Sequence, residues 1–274
     1  MVSQEQRRRQ LAREKFLRQQ QRRTSARRRA RMRNSVIASV LGVVVIGSVA
    51  LYTTGVLKDD DDGKAKAVAG ATPSASATSK APDPCEKAAK GSVKKLSWKK
   101  EPAMTIDTSA KYTMTLATTC GDIGVALKAS AAPHTVNSFD FLAGKGYFDH
   151  TKCHRLTTNG IYVLQCGDPT GTGSGGPGYT IPDENLKDKS LKGNTYPAGT
   201  VAMANTGQKH TGGSQFFLVY KDSPLPPSYT PFGTIDAAGL KVLNKIAAAG
   251  ENTGAGDGAP NATVVINRAT VGKS

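Results

Sequence analysis

The residues with the clearest chemical use in this chain follow one another between positions 153 and 217. Cys153-His154-Arg155 leads into Tyr162-Val163-Leu164-Gln165-Cys166-Gly167-Asp168-Pro169, then Met203-Ala204-Asn205, then Gly213-Ser214-Gln215-Phe216-Phe217. Arg155 is a permanent cation with five N–H donors. The later segments can surround it with amides and apolar rings and without a second titrating group. Such an inventory suits electrostatic stabilisation of an uncharged substrate better than proton transfer or nucleophilic attack. Alone, Arg155 would serve equally well as a surface ion pair. The company of Gln165, Asn205 and Gln215 makes it a candidate catalytic group.

Other chemistries find less support. Gly171-Thr172-Gly173-Ser174-Gly175-Gly176 satisfies GxGxxG, but Pro177-Gly178 follows where a dinucleotide site needs a helix, so the stretch reads as a glycine-rich surface loop. The four histidines, His134, His150, His154 and His210, lack metal-site spacing, and His154 reads as a packing and hydrogen-bonding residue. No metal and no cofactor is expected, and no GxSxG signature supports a hydrolase.

The elements that must position these groups are short. Tyr112–Thr118 alternates apolar and polar residues up to Cys120-Gly121-Asp122, and Ile123–Leu127 alternates again, which predicts a hairpin. Val136, Phe139, Phe141 and Leu142 after Pro133-His134-Thr135 predict a helix with Thr135 as its cap, and Ala237–Ala249 predicts a second. Short apolar runs at 160–165, 200–204, 215–220 and 264–271 predict further strands. Phe216 and Phe217 are strand neighbours, so only one of them can line a groove. Many strands with two helices predict a mainly β fold, a closed barrel capped by helices.

The charge of +16 is unevenly spread. Residues 1–34 hold thirteen Lys/Arg against Glu5 and Glu14, whereas 85–274 hold 20 basic and 14 acidic residues. The excess therefore belongs to a basic tail, not to a nucleic-acid-binding domain, and no specific nucleic acid is expected. The next 23 residues, Ser35 to Leu57, carry no charge, enough for a transmembrane helix preceding the barrel. The basic flank and Asp59–Asp62 orient it N-terminus inside, with the rest extracytoplasmic in the cell membrane. A signal peptide cleaved near Ser48-Val49-Ala50 is the competing reading. The tail 7–33 can touch anionic lipid, or RNA at a ribosome, although a disordered topology determinant explains it as well. Organisation follows: tail 1–34, membrane helix 35–57, flexible linker and lysine-rich lead-in 58–102, outer domain 103–274, expected as a monomer.

Cys85, Cys120, Cys153 and Cys166 all fall on the predicted outer side, where an even count favours disulfides. Of three pairings, Cys153–Cys166 with Cys85–Cys120 is favoured. The first would staple neighbouring strands, and the second would tie the lead-in to the first hairpin.

Over about residues 112–271 the chain resembles the cyclophilin family of peptidyl-prolyl cis-trans isomerases in residue type, order and spacing. The resemblance implies an eight-stranded barrel closed by two helices, with proline-containing polypeptides as substrates in a groove on its outer surface. Carried over by position, Arg155 matches the catalytic arginine, Gln165 the glutamine on the substrate backbone, and Ala204 and Asn205 the rim that hydrogen-bonds the peptide. Gln215 and Phe217 match the amide and ring of the proline pocket, Val163 a groove methionine and Leu225 an apolar wall. Tyr162, expected with Phe217, Val163 and Leu225 to hold the proline ring, stands for a phenylalanine, Tyr229 for a histidine and Pro224 for a tryptophan, the last implying weak cyclosporin binding. The Arg155-to-Gln165 interval is two residues longer than the family's. The expectation is an isomerase for exported or cell-surface proteins, with a proline-segment binding module or chaperone of little turnover as the alternative.

Overall fold

The computed structural model describes residues 82–273. The basic tail 1–34, the apolar segment 35–57 and the linker up to residue 81 lie outside the described residues. Among the described residues no helix is long and apolar enough to cross a membrane.

The alternating run forms β1 (Tyr112–Thr118), which turns at Thr119-Cys120 into β2 (Gly121–Leu127), paired in register from Tyr112 opposite Leu127 to Thr118 opposite Gly121. Tyr112, Met114 and Leu116 on β1, and Ile123, Val125 and Leu127 on β2, are buried on one face. Each full burial of an aliphatic side chain contributes about 1.5–3 kcal/mol, which fixes the register. Helix α1 (Pro133–Gly144) follows, with proline at its start and Val136, Phe139 and Leu142 turned inward. The expected Thr135 cap is corrected. Ala132 is the N-cap and offers no side-chain bond. Instead the Glu184 carboxylate accepts from His134 N at 3.0 Å, Thr135 N at 2.9 Å and Thr135 Oγ1 at 2.8 Å. A carboxylate from a distant loop satisfies these free N–H groups better than a hydroxyl because it also complements the helix dipole.

The remaining elements are β3 (Thr151–Lys152), β4 (Arg155–Thr157), β5 (Val163–Cys166), β6 (Thr195–Tyr196), β7 (Thr200–Met203), β8 (Phe216–Val219), β9 (Ser223–Pro224), β10 (Pro231–Ile235), α2 (Ala237–Ala248), β11 (Asp257–Gly258) and β12 (Val265–Lys273). Helix α2 is capped by Asp236, whose Oδ1 accepts from Gly239 N at 2.6 Å. Ten strands make one antiparallel, curled sheet in the order β11-β4-β5-β8-β7-β10-β2-β1-β12-β3, and β6 pairs β9 apart from it. The fold is thus mainly β with two helices. The expected eight-stranded closed barrel differs in two respects: the main sheet has ten strands, and no pairing joins its edges β11 and β3 among the described strands. Both edge strands are two residues long, too short for any alternation to announce them.

The core holds Phe139, Phe148, Phe216 and Phe232, with ring centroids 4.5–6.0 Å apart around Phe139 and Phe216. The lead-in 85–102, set apart on composition, lies against the same compact unit. Glu86 N donates to Thr119 O at 2.8 Å, Trp98 N donates to Pro177 O at 2.8 Å, and the Trp98 ring meets Phe141 edge-on at 5.0 Å. Cys85 is bonded to Cys120 and Cys153 to Cys166, the favoured pairing.

Candidate active site

Four neighbouring strands, β4, β5, β8 and β7, align Arg155 with Gln165, Gln165 with Phe217, and Phe217 with Ala202. Side chains at directly opposed positions project from the same face, so the register alone brings a cation, an amide and an aromatic ring together. The C-terminal end of β5 is held by the Cys153–Cys166 disulfide and by Gly167 just after it. Gly167 has φ 86°, and a Cβ there would collide with the Ser214 carbonyl, so only glycine fits.

The polar half of the face is one hydrogen-bonded relay. Arg155 Nη1 donates to Gln165 Oε1 at 3.2 Å, Gln165 Nε2 to Gln215 Oε1 at 2.9 Å, and Gln215 Nε2 to Gly175 O at 2.9 Å. The glycine-rich loop is thereby part of the site. Asp168, fully buried beneath it, accepts from Thr170 N, Thr170 Oγ1, Thr172 N and Gly173 N at 2.6–3.1 Å. Burial pushes the Asp168 carboxyl up, but these hydrogen bonds outweigh it and hold it below the usual range.

At the other end Asp257, in β11 beside β4, takes Arg155 Nε at 2.7 Å and Nη2 at 2.8 Å. These bonds raise the guanidinium further above its ordinary value against the lowering effect of burial, and they lower the Asp257 carboxyl. Three of five donors are therefore engaged, leaving two N–H groups for a ligand. Arg155 is half-buried. The His154 ring makes no hydrogen bond among the described residues: both ring nitrogens are buried without a partner, which corrects its expected hydrogen-bonding role. Burial first, and the Arg155 charge second, lower its pKa against the opposing pull of Asp168, so the ring is neutral at pH 7.

The apolar half is a cluster of its own, built from Val163, Tyr196, Ala202, Phe217 and Val219, with Ile161, Leu191, Ala204, Leu225 and Tyr229 packed against it. Phe217 meets Tyr229 edge-on at 5.5 Å and Tyr196 at 6.2 Å. The Tyr196 hydroxyl, pushed up to about 12 by burial, donates to Tyr229 O at 2.7 Å and accepts from Tyr229 N at 3.1 Å, which fixes Tyr229. Of the expected residues, Val163, Phe217, Leu225, Tyr229 and Ala204 are brought together here. Tyr162 is not. Its ring meets Tyr220 at 5.9 Å under the Lys221 ammonium, while Ile161 reaches the cluster. Alternation along the strand is the reason, since Ile161, Val163 and Gln165 share one parity and Tyr162 the other. Asn205 donates through Nδ2 to Ser228 O at 2.8 Å and accepts from Gly207 N, so its side chain braces the rim.

Asp257, Tyr196 and Ile161 escaped the reading of the sequence. Asp257 sits in a glycine-rich stretch, Gly254-Ala255-Gly256-Asp257-Gly258, that looks like any surface loop. Its only signal is the lone carboxylate there.

A family model described as cyclophilin type peptidyl-prolyl cis-trans isomerase matches residues 113–271, more than half of the chain. The chain is a member of the cyclophilin family. A Mycobacterium leprae protein described as probable peptidyl-prolyl cis-trans isomerase B is 51% identical over 165 residues, 57% of this chain and 56% of that protein. Its Mycobacterium tuberculosis counterpart is 49% identical, over 57% and 53% respectively. The solved structure of a Cryptosporidium parvum cyclophilin-type isomerase aligns with TM-score 0.50 and 28% identity, covering 60% of this chain and 99% of its own. The chain thus spans about half the length of the mycobacterial relatives it matches. In this cyclophilin the match leaves out the lead-in before residue 113.

Proposed function

We propose that this cyclophilin accelerates cis–trans isomerisation of X–Pro bonds, with Arg155 stabilising the twisted amide. The observation that carries the reading is the single face on which two free N–H groups of Arg155 border the ring cluster of Phe217 and Tyr229. Rotation about an X–Pro bond is slow because it breaks amide resonance, a barrier of about 18–20 kcal/mol. As the bond twists, the proline nitrogen pyramidalises and gains a lone pair. A guanidinium N–H reaching that nitrogen interacts more strongly with the twisted state than with the planar one, which is what lowers a barrier. Phe217, Val163 and Leu225 form the apolar floor for the ring, and Gln165, Gln215 and the Ala204–Asn205 rim meet the flanking backbone. Proton transfer is not required, in keeping with a neutral His154 that lacks a partner.

The test is isomerisation of a proline peptide by the full chain and by Arg155→Ala, followed by exchange NMR. Loss of rate on the order of a hundredfold is expected, by analogy with removing one preorganised donor. Equal rates would remove Arg155 from the mechanism. A second reading, a proline-segment binder of little turnover, draws on the Asp257 pair, which partly neutralises the cation. Tight peptide binding by both forms without catalysis would favour it.

We further propose the extracytoplasmic side of the cell membrane as the place of action, with residues 35–57 as anchor and exported or cell-surface polypeptides as substrates. The uncharged 23-residue run and two disulfides, bonds that persist in oxidising compartments, support this reading. Membrane fractionation of the full chain against a 58–274 truncation tests it. Recovery of both in the soluble fraction would end the anchoring idea.

A further inference from the structure

A cavity of about 1110 Å³ opens beside the relay, and part of its wall comes from residues the family match does not reach. One side is the site itself, Gln165, Ala204, Asn205 and Gln215. Lys99, Lys100 and Glu101 of the lead-in line the same cavity. The wall is built, not incidental. Trp98 is anchored by its N–H on Pro177 O and by its ring on Phe141 and Tyr147. Gly178, at φ 89°, lies so close that a Cβ there would overlap Ser97 Oγ and the Trp98 backbone. The lead-in and the glycine-rich loop are therefore sealed together, and Lys99 and Lys100 follow immediately from the seal.

The charges on this wall do not cancel. Glu101 lies 3.4 Å from His134 Nδ1, on the α1 side. Lys99 and Lys100 are exposed and make no ion pair or hydrogen bond among the described residues. Lys87, Lys90, Lys94 and Lys95 precede them against Glu86 alone, so the whole lead-in is positive.

We propose that Lys99 and Lys100 make this cavity a selective subsite for an acidic side chain flanking the X–Pro pair. The inference rests on the isomerase reading for the path of the polypeptide. A chain with its proline against Phe217 passes Gln165 and Gln215 into the cavity, where an Asp or Glu meets two ammonium groups. Exposed ion pairs are individually weak, so the selection is on the order of three- to tenfold in KM, with kcat little changed. It fades with salt, because the lysines are in reach of solvent ions.

The experiment uses the full chain and one Ala-Pro peptide series carrying Asp, Ala or Lys two and three positions before the proline, and a second series with the same changes after it. Exchange NMR gives kcat and KM at about 20 mM and 500 mM salt. The expected result is a lower KM for Asp than for Ala, and for Ala than for Lys, on one side of the proline at low salt. That order vanishes in Lys99→Gln/Lys100→Gln and persists in Lys87→Gln/Lys90→Gln. Equal KM values across the series, or selection that survives in the Lys99/Lys100 variant, overturn the proposal. If no peptide is isomerised, the isomerase reading fails by itself, and the same ratios are then read as Kd from peptide titrations, where equal Kd values overturn the subsite.

Discussion

Two adjacent rows of side chains cross the same four strands. Arg155, Gln165, Phe217 and Ala202 face outward, and Leu156, Leu164, Leu218 and Val201 face inward. The inner row is nearly uniform, all aliphatic and at most 1% exposed. The outer row mixes a cation, an amide, an aromatic ring and a methyl group, and its polar members are completed from elsewhere, by Asp257, Gln215 and Gly175. One set of strand pairings therefore does two tasks. The inner row needs only to exclude water and fill volume, whereas the outer row needs its groups held at fixed distances. Stability and chemistry should separate cleanly when each row is altered in turn.

The inner row should give the larger thermodynamic effect. Leu164→Ala leaves a cavity under β5 and should cost about 2–5 kcal/mol in denaturant unfolding. Peptide turnover per folded molecule should stay within a fewfold of the parent. If turnover instead collapses while the protein remains folded, the two rows are not independent. Arg155→Ala should do the reverse, with isomerisation falling on the order of a hundredfold and stability changing by about 1 kcal/mol or less, since the lost ion pair is solvent-accessible. Phe217→Ala comes next. Its ring is buried in the smaller second cluster and not in the main core, so we expect turnover to fall about tenfold through a higher KM, with a smaller stability cost than Leu164→Ala brings. A stability loss as large as that of Leu164→Ala would show the second cluster to be core after all.

The same distinction explains what was legible in the sequence. Period-two alternation announces elements such as β1 and β2, because burial of one face imposes it. The second helix was plain for a similar reason, with Leu240, Leu243 and Ile246 at threes. Arg155, Gln165 and Gln215, named as candidates through the family resemblance, come together because β4, β5 and β8 are neighbours in the sheet. What failed was whatever depends on distant loops arriving beside an element. Glu184 caps α1 from across the fold, β3 and β11 are two-residue pairings, and Asp257 reaches Arg155 from a segment 102 residues away. Tyr162 was assigned by family position and not by strand parity, and parity places Ile161 against the ring cluster in its stead.

Asp257 offers the finest cut between the two rows, because it alters the charge of the outer row and nothing in the inner one. Its bidentate bond holds the guanidinium plane while taking two donors from it. If holding dominates, Asp257→Asn should lower kcat about two- to fivefold, equivalent to an exposed ion pair of about 0.5–1 kcal/mol, with KM little changed. A rise in kcat would mean that the carboxylate restrains the cation more than it aims it. The pH dependence has a definite sign. Arg155 lowers the Asp257 carboxyl below its unfolded value of about 3.9. The clamp is therefore complete above that pH and is lost only as pH falls through the lower folded value. Parent kcat should be flat from pH 8 to about 5 as far as this group is concerned, and the Asn variant should sit at a constant ratio below it across the same range. A ratio that drifts with pH in that window would assign the titration to another group and detach Asp257 from the behaviour of Arg155.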